Sequence, residues 1–453
     1  MKTLTGKTFS VAPAAVWLFL LIMGAAILSP GNSAGAALSV EVRPENTTIL
    51  HNSDGMSNIR IQVMAPEGLF SEERPPLNLC LVLDKSGSMA DSGKMAYLIE
   101  AAHMLVDGMG PRDILSIVAY DDGVRVPVTA RRVRDRQLFH RAIDQLYPGG
   151  RTYLSGGLEE GFRQVRKNLK RGYVSRVILL SDGLANVGVT DNGQLRRRAS
   201  VMYEDGVSVS TFGMGLDFDE DLLTSIACGA GGTYYYISRP GDILAALDRE
   251  FRMASRTVAS GVRIIIRPMG GCRLESIPGH SWSMEDGAAV IGLGDLGAGQ
   301  SRTLLAQLTV PTERLGDLTA AEVSVRYRDA LTGEAGKRKA SPVRLCVVGD
   351  PRIHRENLDA EVSGSRAVIE SSALMNEAAK RVDEGDKAGA FLILRKALGS
   401  LESAPQSRAV KTEAQRVRDY SVNLESLEGM APSELEEIQK EMKYRNYKEI
   451  HGQ

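Results

Sequence analysis

Leu38, Val40 and Val42 alternate with Ser39, Glu41 and Arg43, and Ile59, Ile61 and Val63 alternate with Arg60 and Gln62. A period of two predicts half-buried, antiparallel strands over residues 38–75. The pattern changes at Pro75-Pro76. Leu77 to Leu83 is a nearly continuous apolar run, as expected of a strand buried on both faces. Met95, Leu98, Ile99, Ala102, Leu105, Val106 and Met109 follow at helical spacing. Strands are expected at Ile114–Tyr120, Val124–Ala130, Arg176–Ser181, Val207–Met214 and Thr233–Ile237. Helices are expected at Arg134–Leu146, from Ser155, and near Gln194–Glu204, Glu220–Ala227 and Asp242–Met253. Buried strands alternating with amphipathic helices describe a mostly parallel sheet covered on both faces.

The period of two returns over Val262–Arg267, Ala288–Leu293, Arg302–Val310, Ala321–Arg328 and Pro342–Val348. The first β-like flank has too few strands to stand alone. Residues 38–75 and 255–350 are therefore expected to form one β-sandwich, interrupted by an α/β insertion over 76–254. Residues 351–453 read as helical. Val368, Ile369, Ala373, Met375 and Ala378 form one stripe; Ala388, Phe391, Leu392, Leu394, Ala397 and Leu398 form the next. A third helix is expected over Ser407–Leu424, and Ser433 with Glu436 reads as a capping box before a fourth.

The chain has 453 residues, 43% of them hydrophobic, and a net charge of −1. That balance gives no electrostatic reason to expect nucleic acid as a partner. Lys2 and Lys7, the apolar stretch Val11–Leu28 and the small residues Ala34-Gly35-Ala36 fit a cleaved signal peptide over residues 1–36. The expected location is secreted or periplasmic. The alternative is an uncleaved segment anchoring the chain at a membrane. Of the four cysteines, Cys80 lies in a core-strand pattern, whereas Cys272 and Cys346, both in the later β region, are the expected disulfide. Cys228 is left over.

Three loops at expected strand ends carry oxygen-bearing side chains. Asp84-Lys85-Ser86-Gly87-Ser88 follows the apolar run, Gly149-Gly150-Arg151-Thr152 follows a helix, and Ser181-Asp182-Gly183 follows the strand ending at Leu180. In open α/β sheets, ligands bind beyond the carboxyl ends of the strands. Two carboxylates (Asp84, Asp182) and three hydroxyls (Ser86, Ser88, Thr152) suit a hard cation such as Mg²⁺, which takes six oxygens at about 2.0–2.1 Å. No His-Glu-x-x-His motif occurs; the strings Gly31-Asn32-Ser33-Ala34-Gly35 and Gly6-Lys7-Thr8 fall within the expected signal peptide and outside the expected α/β region, and Ser86 and Ser88 have no His at a recognisable spacing. The chain is not read as an enzyme. Asp217, Asp219, Glu220 and Asp221 read as acids complementing a helix dipole. Asp121-Asp122-Gly123 reads as a hairpin turn. Arg131, Arg132, Arg134 and Arg136 read as a solvated helix start.

Residues 76–254 resemble a von Willebrand factor type A domain. Asp84, Ser86 and Ser88 match the Asp-x-Ser-x-Ser loop of its metal-ion-dependent adhesion site, Thr152 its central threonine and Asp182 the aspartate of its third loop. The resemblance implies a doubly wound α/β fold, bound Mg²⁺ or Mn²⁺, and an open coordination position that takes an Asp or Glu from a protein partner. The wider arrangement is similar to extracytoplasmic proteins such as inter-alpha-trypsin inhibitor heavy chains and calcium-activated chloride channel regulators. The resulting expectation is an extracytoplasmic binding or adhesion protein. The alternative is an assembly subunit of an envelope complex whose metal only braces the loops; metal-assisted phosphoester hydrolysis is a further class, lacking a visible general base.

Overall fold

The computed structural model describes residues 37–67, 74–425 and 432–451; the leader assigned to residues 1–36 lies outside them. The first flank supplies β1 (Ser39–Pro44), β2 (Thr48–Leu50) and β3 (Met56–Met64). The α/β region follows as β4 (Leu77–Asp84), α1 (Lys94–Gly108), β5 (Ile114–Tyr120), β6 (Val124–Arg132), α2 (Arg136–Ile143), α3 (Leu154–Arg166), β7 (Val174–Ser181), α4 (Asn192–Glu204), β8 (Ser208–Met214), α5 (Glu220–Gly229), β9 (Gly231–Ile237) and α6 (Asp242–Ser255). The second flank contains β10 (Thr257–Pro268), β11 (Arg273–Ser276), β12 (Ser283–Glu285), β13 (Ala288–Gly297), β14 (Ser301–Thr309), β15 (Gly316–Asp329), β16 (Ala335–Lys339) and β17 (Val343–Val348). The chain ends in α7 (Pro351–Glu356), α8 (Ala360–Asp383), α9 (Lys387–Ser403), α10 (Arg408–Glu425) and α11 (Pro432–His451).

The α/β sheet has the order β6-β5-β4-β7-β8-β9, parallel except for the β5–β6 hairpin. Strand periodicity divides β4 between two cores. Leu77, Leu79, Leu81 and Leu83 pack on the side of α1, α2 and α6, whereas Cys80 and Val82 pack on the side of α3, α4 and α5. Two glycines let α3 lie close to the sheet: a Cβ on Gly157 would sit 2.6 Å from Tyr120 Cδ1, and one on Gly161 would run into Val82.

The two flanks pair with each other. β3 forms an antiparallel ladder with β14, and β2 runs parallel to β17. One sheet has the order β1-β3-β14-β11; the other has the order β12-β13-β10-β15-β17-β2, with β16 on β15. Ile59, Ile61 and Val63 face Ile264, Ile266, Val323 and Val325 in a shared core. This is the mixed-sheet α/β architecture with a C-terminal helical region that the sequence leads one to expect.

Four local expectations change. All four cysteines are thiols. Cys272 is buried in the sandwich core, whereas Cys346 faces Asp317, whose hydrogen bond raises its pKa, so the expected pair points apart. Helix α11 begins at Pro432, a position where the missing N–H costs nothing, and Ser433 lies inside the first turn rather than capping it. Arg131 and Arg132 end strand β6 rather than opening a helix. Arg136 opens α2 but donates to Met109 O at 2.6 Å.

Candidate functional site

Strand β4 lies between β5 and β7, so the carboxyl ends of three central strands open on one crown. Asp84 is the last residue of β4 and is fully buried. Its Oδ1 accepts the Ser86 N–H at 2.9 Å, turning the chain back over the strand end. Its Oδ2 accepts the Ser181 hydroxyl at 2.6 Å and the Tyr120 hydroxyl at 3.2 Å. Ser86 Oγ and Ser88 Oγ lie 3.2 Å apart, and Ser88 Oγ donates to Asp182 Oδ1 at 2.8 Å. Asp182, directly after β7, is also fully buried.

The second loop is tied to the first by backbone. Gly87 N–H donates to Gly150 O at 3.0 Å, and Gly149 N–H donates to Lys85 O at 2.7 Å. Thr152 is held by its own N–H, which donates to Asn186 Oδ1 at 2.9 Å. A Cβ placed on Gly183 would lie 3.3 Å from Thr152 Oγ1 and 3.5 Å from Ser88 Oγ. Both hydroxyls therefore border the same small space above Gly183. The five residues singled out in the sequence, Asp84, Ser86, Ser88, Thr152 and Asp182, meet at this crown.

Several supporting residues carried no sequence signal. Lys94 opens α1, yet its Nζ forms an ion pair with Asp182 Oδ2 at 2.6 Å, with both groups buried. Asp121 and Asp122 form the expected hairpin turn, but they also brace the crown. Asp121 pairs with Lys85, and Asp122 Oδ1 accepts the Arg151 N–H at 3.1 Å. The apolar neighbours of Tyr120 and Ser181 gave no hint that their hydroxyls converge on Asp84.

Burial pushes the Asp84 carboxyl up to about 6, against the hydrogen bonds from Ser181 and Ser86; the nearby Asp182 charge adds to the rise. Among the described residues, no ammonium or guanidinium pairs with Asp84. The crown therefore holds two carboxylates, one cation and three converging hydroxyls, a donor set of hard oxygens with one negative charge unmatched. That set fits Mg²⁺ or Mn²⁺ and not a thiolate- or imidazole-preferring ion. It lies outside the His, Cys, Asp and Glu clusters of three or more, of which the described residues contain none suited to a metal.

Away from it, the acids at α5 behave as helix-terminal groups. Asp219 caps the helix through Leu222 N–H at 2.9 Å, and Glu220 pairs with Lys440 and Lys443 of α11. A cleft of about 720 Å³ lies among α5, the sandwich and α11, lined by Tyr203, Cys228, Tyr234, His280, Tyr447 and His451; none of the five crown residues lines it.

The sheet order, the paired helical layers and the oxygen-lined crown define a doubly wound α/β domain of the ligand-binding kind. A family model for the von Willebrand factor type A domain matches residues 78–249, and the chain contains such a domain. The solved von Willebrand factor type A protein from Catenulispora acidiphila shares the fold with a TM-score of 0.70 at 16% identity, over 92% of this chain and 97% of that one. The uncharacterized protein sll0103 of Synechocystis is 27% identical over 339 residues, 72% of this chain and 79% of its own length. Mouse (Mus musculus) inter-alpha-trypsin inhibitor heavy chain H2 is 26% identical over 214 residues, 45% of this chain and 22% of its own. A domain of this class points to protein interaction or adhesion, and such domains often bind a divalent metal.

Proposed function

We propose that this chain is an extracytoplasmic binding protein that captures an Asp or Glu of a protein partner through a divalent cation, Mg²⁺ or Mn²⁺. Asp84 and Asp182 with the hydroxyls of Ser86, Ser88 and Thr152 would hold the ion. When bound, the ion supplies an electron-poor position for an incoming carboxylate. The observation that carries this reading is the imbalance at the crown. A fully buried carboxylate, Asp84, has only hydrogen-bond donors to answer its charge, while the Ser88 and Thr152 hydroxyls border the adjoining space and Ser86 Oγ lies 3.2 Å from Ser88 Oγ. Burying an unpaired charge is costly, and a cation removes that cost.

The chain's own residues do the positioning. Tyr120 and Ser181 orient Asp84, Lys94 and Ser88 orient Asp182, and Asn186 fixes Thr152. The extracytoplasmic setting rests on the basic, apolar and small-residue order of residues 1–36. Among the described residues, no helix is long and apolar enough to cross a membrane.

The test is retention of envelope proteins on the immobilised chain in Mg²⁺, in EDTA, and with Asp84→Ala. A partner held only by the wild type in Mg²⁺ is the expected result. A partner held equally in all three would place binding on the sandwich or tail and leave the metal as a brace.

A further inference from the structure

At the end of the α/β sheet opposite the crown, two loops touch. One is the segment 167–173 between α3 and β7; the other is the turn 330–334 between β15 and β16. A Cβ on Gly172 would lie 2.6 Å from Leu331 O, and one on Gly333 would lie 2.6 Å from Arg171 Cβ. Each loop exposes a leucine: Leu169 is 37% exposed and Leu331 44%. Lys167, Lys170 and Arg171 are exposed around the first, and exposed Arg328 shortly precedes the second. Exposed leucines scattered singly are ordinary; two on touching loops, set among cations, are not.

The cations extend onto the outer face of the sandwich. Arg263 of β10 stands opposite Arg326 of β15, and Arg326 stands opposite Lys337 of β16. Opposed residues of antiparallel strands share a face, so three cations form one row, and like charges so placed destabilise a sheet. Lys170, Arg171, Arg263, Arg326 and Arg328 line one cleft of about 490 Å³ between the first loop and this face. Most acids of the cleft are engaged elsewhere. Asp295 pairs with Arg176, Asp205 pairs with Arg166, and Asp329 accepts the N–H groups of Leu331 and Thr332. The exposed acids left are Glu204 in the cleft and Glu334 beside the turn. Among the described residues, none of the five cleft cations forms an ion pair; Arg263 lies over the Tyr203 ring, 5.4 Å from its centroid. The net charge of the chain is −1, so this excess of cations is local.

We propose that this end of the molecule docks on an anionic lipid bilayer, with Leu169 and Leu331 entering the interface and the basic cleft taking phosphate-bearing headgroups. The leucines and the cations together select that occupant. A soluble polyanion has no use for exposed leucines, and an apolar protein surface has no use for unanswered cations. A bilayer uses both: each Lys or Arg near an anionic surface adds attraction, and each leucine buries apolar surface at the headgroup boundary. Four of the five cleft cations are arginines, whose planar forks match phosphate oxygens. The consequence is orientation. The first loop leads into Val174 at the start of β7, and Asp182 directly follows Ser181 at its end. The 8 residues of that strand, at about 3.3 Å each, place the two about 26 Å apart. A chain docked through the loops therefore turns its crown away from the bilayer.

The experiment is co-sedimentation with vesicles of the mature chain expected from signal cleavage. That chain begins at Ala37, carries every element described above and lacks the apolar stretch Val11–Leu28. One vesicle is phosphatidylcholine alone; the other is equal parts of phosphatidylcholine and phosphatidylglycerol. EDTA is present throughout, which keeps the crown's metal out of the assay. Binding to the anionic vesicles that falls as salt rises, with none to the neutral ones, is expected. Lys170→Gln with Arg171→Gln, and Arg326→Gln with Arg328→Gln, should each weaken binding about 25-fold, or about fivefold per cation removed. Leu169→Ser and Leu331→Ser should each weaken it about fourfold, the worth of about one buried methylene. Leu331→Trp should still bind, and its emission should shift to the blue when anionic vesicles are added. A melting curve on each variant confirms that the fold is retained. No binding to anionic vesicles, equal binding to neutral ones, or full binding by both cation-pair variants would overturn the proposal. Soluble polyglutamate bound more tightly than the vesicles, with the leucine variants unaffected, would also overturn it and assign the face to an acidic protein segment.

Discussion

Near the start of β7, Arg176 lies between Glu250 of α6 and Asp295 of β13; near the end of the same strand, Lys94 lies beside Asp182, with Asp84 across the crown. Each place buries two carboxylates and one cation. At the first, the planar guanidinium reaches Glu250 through one nitrogen and Asp295 through another, both at 2.6 Å. Ser208, Ser210 and Tyr235 hydroxyls take up further acceptor positions. Both neighbouring acids act to hold Arg176 charged despite its burial. At the crown, the Lys94 ammonium pairs with Asp182, and among the described residues no ammonium or guanidinium pairs with Asp84. A fork shared by two acids leaves no vacancy for a second cation, whereas a point charge on one acid leaves the other seeking one. The first arrangement pins the α/β region to the sandwich; the second is the one on which the proposed cation site rests.

Breaking the fork should have the largest effect. Arg176→Met leaves two buried acids unpaired and is expected to cost about 3–5 kcal/mol in denaturant unfolding. Saturating Mg²⁺ should restore little of it, because the methionine side chain fills the space between the two acids and the Ser208, Ser210 and Tyr235 hydroxyls already donate to them. Lys94→Met breaks the single pair at the crown, where Ser88 still bonds Asp182, and should cost about 3 kcal/mol without metal. Here Mg²⁺ should recover most of the loss, because the ion takes over the freed carboxylate. Equal rescue of both variants would break the comparison.

A smaller effect follows from pH. In the metal-free chain, burial raises Asp84 to about 6 from its ordinary 3.8. Between those values the folded state binds a proton that the unfolded state does not, so this group's contribution to stability rises as pH falls through 6 toward 4. The difference in unfolding free energy between wild type and Asp84→Asn should move by about 2 kcal/mol in favour of wild type from pH 7 to pH 4. Arg176, held charged by its two acids, does not titrate in that range.

The crown was readable because its five residues are local. Each hydroxyl or carboxylate sits on a short loop just after an element whose apolar pattern is strong, as at Leu77–Leu83 before Asp84. What escaped the sequence is what depends on distant pairing. Lys94 reads as a helix start, and only the packing of α1 against the third loop turns its ammonium toward Asp182. Arg176 and Asp295 lie 119 positions apart, in different layers. The docking of α11 was likewise invisible. Tyr444 and Tyr447 stand edge-on against Tyr234 of β9, and Lys440 Nζ donates to Phe218 O at 3.0 Å. Tyr234 and Tyr236 thus face the tail while Tyr235 stacks on Phe212 across the sheet, a division that strand periodicity implies without naming the partner. The Cys272–Cys346 pairing failed for a related reason: sharing a β-rich region does not put two thiols on the same side of it.

The most direct measurement is calorimetric titration of Mg²⁺, repeated with Mn²⁺, into the wild-type chain and into Asp84→Ala and Asp182→Ala. One ion bound per wild-type chain and absent from both variants is the predicted result. No binding by the wild type, or undiminished binding by both aspartate variants, would contradict the account of the crown as a divalent-cation site.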